Sequence, residues 1–545
     1  MNRSPWAPVL FAGISPHHAS EKTDSRLCPS RHLSIFYFVF CNKYLVCAIN
    51  YQTCFMKYCY WLLLSFFSLS LHAQVKLTLK LDSAIHRSLT GRLYIYTQSD
   101  TSKPIPNDPD PSQPMFAFDL KGWQGNHTVV LSAAADHMPR NFQSLKPGFY
   151  KVAGIIDTDF SERGNFNPGS VYARKEAIVQ VQENGEGYGE LLFNSVAQPR
   201  RFRENDSTKE VVVKSKLLSD FRKQDIWMKA AVRLPASYQT DSTKQYPLVL
   251  IIPGWGGTHY DLMSRNPEQR YGMRLGQEKI YVLLNPESQS PFGLHAFVDS
   301  RVNGPWGKAL VEELIPYLQE RFRINPNPEQ HLLTGQSTGG YGVLWLQMHY
   351  PQSFGGCWAV SPDPVDFSAF VGINLYEKGV NFYTDRDGKA RPFFMMNGQP
   401  LSTMREMMEM EAFIGDGEQQ QAFEAEFGIP DAKGRPQPLF DRVTGLIDPT
   451  VVETWKAYDM TLVLQRDWSK LAAQLSHKIH VYAGGDDNFF LNKAVDGFAA
   501  AATKLKAAVV AENIPGANHF NIWSPVFTKR VVAEMDERLR QVKNN

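Results

Sequence analysis

Beyond residue 73 this 545-residue chain has a single cysteine, Cys357, so no internal disulfide can brace that part of the fold. The other five, Cys28, Cys41, Cys47, Cys54 and Cys59, all come earlier. Cys357 sits in "FGGCWAVSP" and reads as a small buried apolar residue rather than a reactive thiol. Charge of one sign is also lacking: 57 Lys and Arg face 55 Asp and Glu, and no basic block or stripe occurs. That excludes a polyanion-binding surface, and no nucleic-acid partner is expected. Neither H-E-x-x-H nor C-x-x-C is present, so no metal site is expected. Long hydrophobic runs are scarce as well. Trp61 to Leu71, in "MKYCYWLLLSFFSLSLHAQ", is too short and serine-rich for a bilayer span of about 20 residues.

That run has the grammar of a secretory signal over 56–73: Lys57 at its start, an apolar middle, and Leu-His-Ala before a cut after Ala73. A signal should open a protein, so residues 1–55 read as a mis-assigned leader. "HLSIFYFVFCNKYLVCAINY" rivals it as a membrane helix but is interrupted by Asn42 and Lys43. The expectation is export to a periplasm or medium, with no stable membrane insertion once the signal is removed. Without residues 1–73 the balance becomes 51 basic against 53 acidic residues, close to neutral.

Two rhythms follow. Residues 75–200 alternate short β-rich runs ("VKLTLKLD", "GRLYIYTQ", "MFAFDL", "HTVVLS", "GFYKVAGIID", "EAIVQVQE", "GELLFNSV") with turn clusters, predicting an antiparallel all-β sandwich. The charged stretch "AQPRRFREND" predicts a linker over 201–209. From 210 to 545 apolar strands alternate with helical stretches. "YPLVLIIPG" and "IYVLLN" are continuous apolar runs, as strands buried on both faces require. Leu310, Val311, Leu314, Ile315, Leu318 and Phe322 repeat at helical spacing. Eight strands emerge, the central ones joined by helices, predicting an α/β fold with an eight-stranded, mostly parallel sheet. Residues 364–475 break the rhythm between the sixth and seventh strands and are expected to form a cap. Its Met404, Met407, Met408 and Met410 either line a pliable pocket or simply pack against the body.

"TGQSTGGYG" places Ser337 directly after the fifth strand and directly before a helix, with Gly335 and Gly339 flanking it in G-x-S-x-G. In that context the pattern describes a nucleophile elbow, a sharp turn that lifts the hydroxyl out of the sheet. A serine needs a base to take its proton as it attacks. His519 in "IPGANHFNIW" follows the last strand and suits the part, with His259 and His295 as rivals. A carboxylate must then orient the imidazole. "HVYAGGDDNFF" offers Asp486 and Asp487 after the seventh strand. Asp487 is preferred for its G-x-x-D spacing from Gly484, with Asp363 and Asp366 in "SPDPVDF" held in reserve. Donors for the oxyanion are expected from the backbone N–H groups of Thr338 and of Trp255 in "IIPGWGGTHYD".

With these residues in view, 210–545 resembles the putative esterase family of α/β-hydrolases, which includes feruloyl esterases, S-formylglutathione hydrolase and mycolyltransferases. The likeness is carried by "PGWGG", "NGPWGKALVEELIPYL", "GQSTGGYGVLWL", "SPDPVDF", "VYAGGDDNFFLN" and "PGANHF". It implies triad roles for Ser337, Asp487 and His519, oxyanion roles for Trp255 and Thr338, and chemistry that needs no cofactor. The front sandwich and the long segment after the sixth strand depart from the pattern, so no relative's substrate transfers with it.

The expected activity is hydrolysis of a carboxylic ester through an acyl-enzyme, on a small-molecule or polysaccharide-linked substrate. The same triad could pass the acyl group to an alcohol. From another class, the chain could be an inactive carbohydrate- or partner-binding protein. Trp255, Trp306, Tyr341, Phe489 and Phe490 lie near the motif loops, either to hold an acyl group or sugar or merely to pack.

Overall fold

A strand of five apolar residues with no polar alternation has no face to offer water, and "LVLII" (248–252) and "IYVLL" (280–284) lie at the centre of a sheet. The computed structural model describes residues 74–105, 113–161, 163, 164 and 166–544; the leader and signal expected over 1–73 lie outside them. Eight strands form the larger unit: β1 (Thr208–Ser215), β2 (Ile226–Arg233), β3 (Leu248–Ile252), β4 (Ile280–Leu284), β5 (His331–Ser337), β6 (Gly356–Pro362), β7 (Ile479–Gly484) and β8 (Val510–Ile514). Their spatial order is β1-β2-β4-β3-β5-β6-β7-β8. β2 runs antiparallel to β1 and β4, and every other pairing is parallel.

Side chains alternate across this sheet. Leu248, Leu250 and Ile252 of β3 enter one core, while Val249 and Ile251 enter the other. β4 divides in the same way, with Ile280, Val282 and Leu284 on one side and Tyr281 and Leu283 on the other. Both faces are covered, which parallel pairing through helical crossovers demands. Helix Thr338–His349 lies wholly inside, buried from Thr338 through Met348, so it has no polar stripe. The closing helix Pro525–Asn544 covers the opposite face with Phe527, Val531, Met535 and Leu539. The arrangement is α/β-hydrolase-like.

The helical spacing read around Leu310 forms a composite element: Trp306–Ala309, a π turn over Leu310–Leu314, then Ile315–Arg321. Pro316 lacks an N–H and crowds the preceding turn, and the wider π turn stands directly before it.

The front unit is β-rich. Its described residues form nine strands of one hydrogen-bonded sheet, antiparallel except where Val75–Leu81 runs parallel to Gly187–Val196. The sheet bends back on itself: Trp123 on strand Met115–Trp123 meets Phe193 edge-on at 5.7 Å, although three positions in the strand order separate their strands. The stretch read as a linker is packed against the larger unit. Phe202 stacks on His259, Tyr260 donates a 2.9 Å hydrogen bond to the Arg200 carbonyl, and β1 already begins at Thr208.

Between β6 and β7 the chain makes a hairpin (Pro392–Met396 with Gln399–Thr403) and helices Met404–Ile414, Gln419–Phe427, Pro449–Trp455 and Met460–Leu475. Phe370, Phe423, Phe427, Trp455 and Met460 join the main core, as do Met404 and Met408, with Met407 packed against it. These methionines pack. The front unit also grips this segment, since Tyr94 donates to the Ile414 carbonyl and its ring meets Phe413 at 6.1 Å. No helix among the described residues is long and apolar enough to cross a membrane.

Candidate active site

Ser337 ends β5 and starts helix Thr338–His349 with φ 57° and ψ −124°, a left-handed-side backbone that costs a side-chain-bearing residue of order 1–3 kcal/mol. Glycine on either side makes that turn possible. A Cβ on Gly339 would strike the Ile252 carbonyl at the end of β3, and one on Gly335 would strike the Gly339 carbonyl. Strand, turn and helix are thus closer than any larger residue permits. Gly254, in the loop after β3, also abuts the turn: a Cβ there would lie 3.3 Å from Ser337 Cβ. Trp255, whose N–H is the second expected oxyanion donor, is the next residue in that loop.

His519 and Asp487 come from the loops after β8 and β7. His519 Nδ1 is 3.0 Å from Asp487 Oδ2, with the two side chains 8% and 0% exposed. Asp487 also caps its own loop by accepting from the Phe489 N–H at 2.9 Å. Asp486, its neighbour, is exposed. Two residues not foreseen in the sequence hold the histidine's main chain. Gln336 donates to the His519 carbonyl at 2.6 Å, tying it to the residue before the serine, and the His519 N–H donates to Asn488 Oδ1 at 3.2 Å. Asn488 was legible only as a polar neighbour of Asp487; nothing local marks Gln336.

The serine hydroxyl donates to Asp363, at 3.1 Å from Oδ1. Thr338 Oγ1 donates to the other oxygen of the same carboxylate at 2.7 Å. Asp363, in the loop after β6, is buried, and that burial pushes its carboxyl up to about 6, against the opposing pull of Thr338 and of the nearby His519. Glu426, on helix Gln419–Phe427, is buried too; desolvation first, and then the Asp363 charge, raise its carboxyl well above the usual range.

The remaining candidates lie elsewhere. His259 Nε2 contacts Glu210 Oε1 at 3.1 Å, and burial lowers it to about 3, which keeps it neutral. His295 is buried against the Trp306 ring, accepts from the Phe297 N–H at 3.0 Å and is held neutral by desolvation. Asp366 caps the turn at Ser368. Trp306 and Tyr341 are fully buried, donating to the carbonyls of Asn303 and Tyr458, so both pack. Phe489 is different, meeting His519 edge-on at 4.9 Å. Phe394 of the hairpin touches Phe489 and Phe520, and two hydrogen bonds between Asn488 and Met395 fasten that hairpin beside the histidine. From the front unit Arg163 reaches the larger one, 3.0 Å from Glu287 and 5.0 Å from the Trp255 ring centre. Cys357 is buried, its thiol pushed up to about 12 by desolvation.

Residues 225–533, more than half of the chain, match the family model described as "Putative esterase". Among solved structures, a ferulic acid esterase is 15% identical, covering 61% of this chain and 100% of its own, with a TM-score of 0.37. The fluorophosphonate-binding serine hydrolase FphF of Staphylococcus aureus gives 13%, 61%, 98% and 0.38 in the same terms. An S-formylglutathione hydrolase from Agrobacterium tumefaciens gives 14%, 61%, 93% and 0.35. These overlaps are loose. Among curated proteins no relative matches the chain.

Proposed function

Because the chain belongs to the "Putative esterase" family and is an esterase, we propose that it hydrolyses carboxylic esters by a serine mechanism in which Ser337 attacks, His519 carries the proton and Asp487 holds the imidazole. The observation that carries this reading is the buried 3.0 Å contact between His519 Nδ1 and Asp487 Oδ2, with the His519 main chain tied through Gln336 to the strained turn of Ser337. With Nδ1–H given to the carboxylate, Nε2 is left as the base.

The steps follow from that tautomer. As the Ser337 oxygen bonds to the ester carbonyl carbon, its proton passes to His519 Nε2 and the carbonyl oxygen becomes an oxyanion. The N–H groups of Thr338 and Trp255 receive that charge, each donor contributing about 3 kcal/mol to lowering the barrier. Collapse expels the alkoxide, which takes the proton from His519, and an acyl-serine remains. Water then repeats the sequence and releases the acid.

The segment between β6 and β7 serves as the cap. Supporting this, Phe394 and Met395 of its hairpin lie against Phe489 and Asn488 at the histidine. Phe394, Phe489 and Phe520 offer an apolar wall for the acyl or alcohol part of a small ester, and the Trp255 ring carries Arg163 over it. Export fits the signal-like residues 56–73. Replacing Ser337 by Ala should abolish turnover of short p-nitrophenyl esters without loss of fold; equal rates in variant and parent would end the proposal.

A further inference from the structure

The Ser337 hydroxyl rests on a carboxylate that the triad does not use. Asp363 meets the nucleophile's turn three times: Oδ1 accepts from Ser337 Oγ at 3.1 Å, Oδ2 accepts from Thr338 Oγ1 at 2.7 Å, and its own N–H donates to the Ser337 carbonyl at 3.1 Å. It is 3% exposed. An isolated buried carboxylate is expensive, and a structural hydrogen bond to a threonine would be served equally well by a neutral amide. A charge kept at this point calls for another reason.

We propose that Asp363 is a second carboxylate of the reaction centre, one that fixes the resting rotamer of the nucleophile and stabilises the imidazolium formed when Ser337 attacks. The inference rests on the triad reading above. In the resting enzyme the hydroxyl proton points to Asp363, which holds Ser337 Oγ at one place on a turn otherwise defined only by backbone. When the ester enters, the proton passes to His519 Nε2 as the oxygen–carbon bond forms, and it leaves later with the alkoxide. Asp363 takes no proton and forms no bond. Its charge acts on the ring that becomes positive, and His519 is among the groups whose attraction draws its carboxyl back down.

The groups facing it are few. His519 and Asp487 come from the loops after β8 and β7, Glu426 from helix Gln419–Phe427, and Tyr341 from the helix after the serine. Burial raises the Glu426 carboxyl and the Tyr341 hydroxyl well above their usual ranges. Asp487 is the other anion. Two carboxylates therefore act on His519, one hydrogen-bonded to its ring and one to its nucleophile.

The consequence is a second proton on the acid side of the rate profile. Activity needs His519 neutral and Asp363 ionised, so log kcat/KM should fall with a limiting slope approaching two as both take up protons. Asp363→Asn keeps the size and can still bond to Thr338, but it cannot ionise. It should lower kcat about 10- to 100-fold with KM nearly unchanged, and reduce the slope to one. The experiment follows p-nitrophenyl acetate hydrolysis by the full chain and its Asp363→Asn variant across pH, with a separate sample of the wild type treated with a fluorophosphonate to test labelling of its serine. A wild type that takes no label sinks the serine mechanism itself. A labelled wild type with a slope of one, or a variant matching it in kcat and slope, sinks the role of Asp363 alone. The wild-type slope decides even where the variant does not fold.

Discussion

His519 Nδ1 and Asp487 Oδ2 stand 3.0 Å apart, on loops that leave neighbouring strands of the sheet, with almost no solvent between them. Thirty-two positions separate them in the chain, and the parallel pairing of β7 with β8 brings their loops together.

The preference for Asp487 over Asp486 can be tested directly. Asp487→Asn should lower kcat on p-nitrophenyl acetate by about 10²- to 10⁴-fold, because an amide no longer favours the tautomer with its proton on Nδ1. Asp486→Asn, on an exposed side chain, should change kcat less than about threefold. Steady-state kinetics of both variants checks the pair.

Gly339 tests the turn rather than the chemistry. A methyl group there would run into the Ile252 carbonyl, and backbone cannot yield as a flexible side chain can. Gly339→Ala should destabilise the larger unit by more than about 3 kcal/mol, or prevent folding, as measured by urea unfolding.

Asp363 links stability to pH with a definite sign. Its carboxyl is raised in the folded state to about 6, above its unfolded value, so folding favours the protonated form. Its contribution is therefore most favourable below the unfolded value and is lost as pH rises through about 6, a swing of roughly 3 kcal/mol. Asp363→Asn removes that swing. The variant should gain stability relative to the parent between about pH 4 and 7.5 in urea titrations, while losing activity, the trade expected where a site holds a charge its surroundings resist.

How much of this was written locally is visible residue by residue. β3 and β4 announced themselves because strands buried on both faces cannot alternate. Ser337 did so because a glycine-flanked turn between strand and helix is a local structure. His519 and Asp487 were legible through their place after the last strands. What escaped was tertiary. Nothing near Asp363 says that its oxygens reach Ser337 and Thr338, and Gln336, Phe394 and Arg163 join the site only through contacts made across the fold. Strands Asp136–Met138 and Val171–Ala173 were missed because three residues show no periodicity, and the linker read from charge is packed through Phe202.

The serine mechanism requires Ser337 to be an activated nucleophile. Treating the enzyme with a fluorophosphonate and mapping the adduct by peptide mass measures this most directly. Stoichiometric modification of Ser337, slowed by orders of magnitude in His519→Ala, is the predicted result. An unmodified Ser337, or labelling that proceeds at the parent's rate without His519, would contradict it.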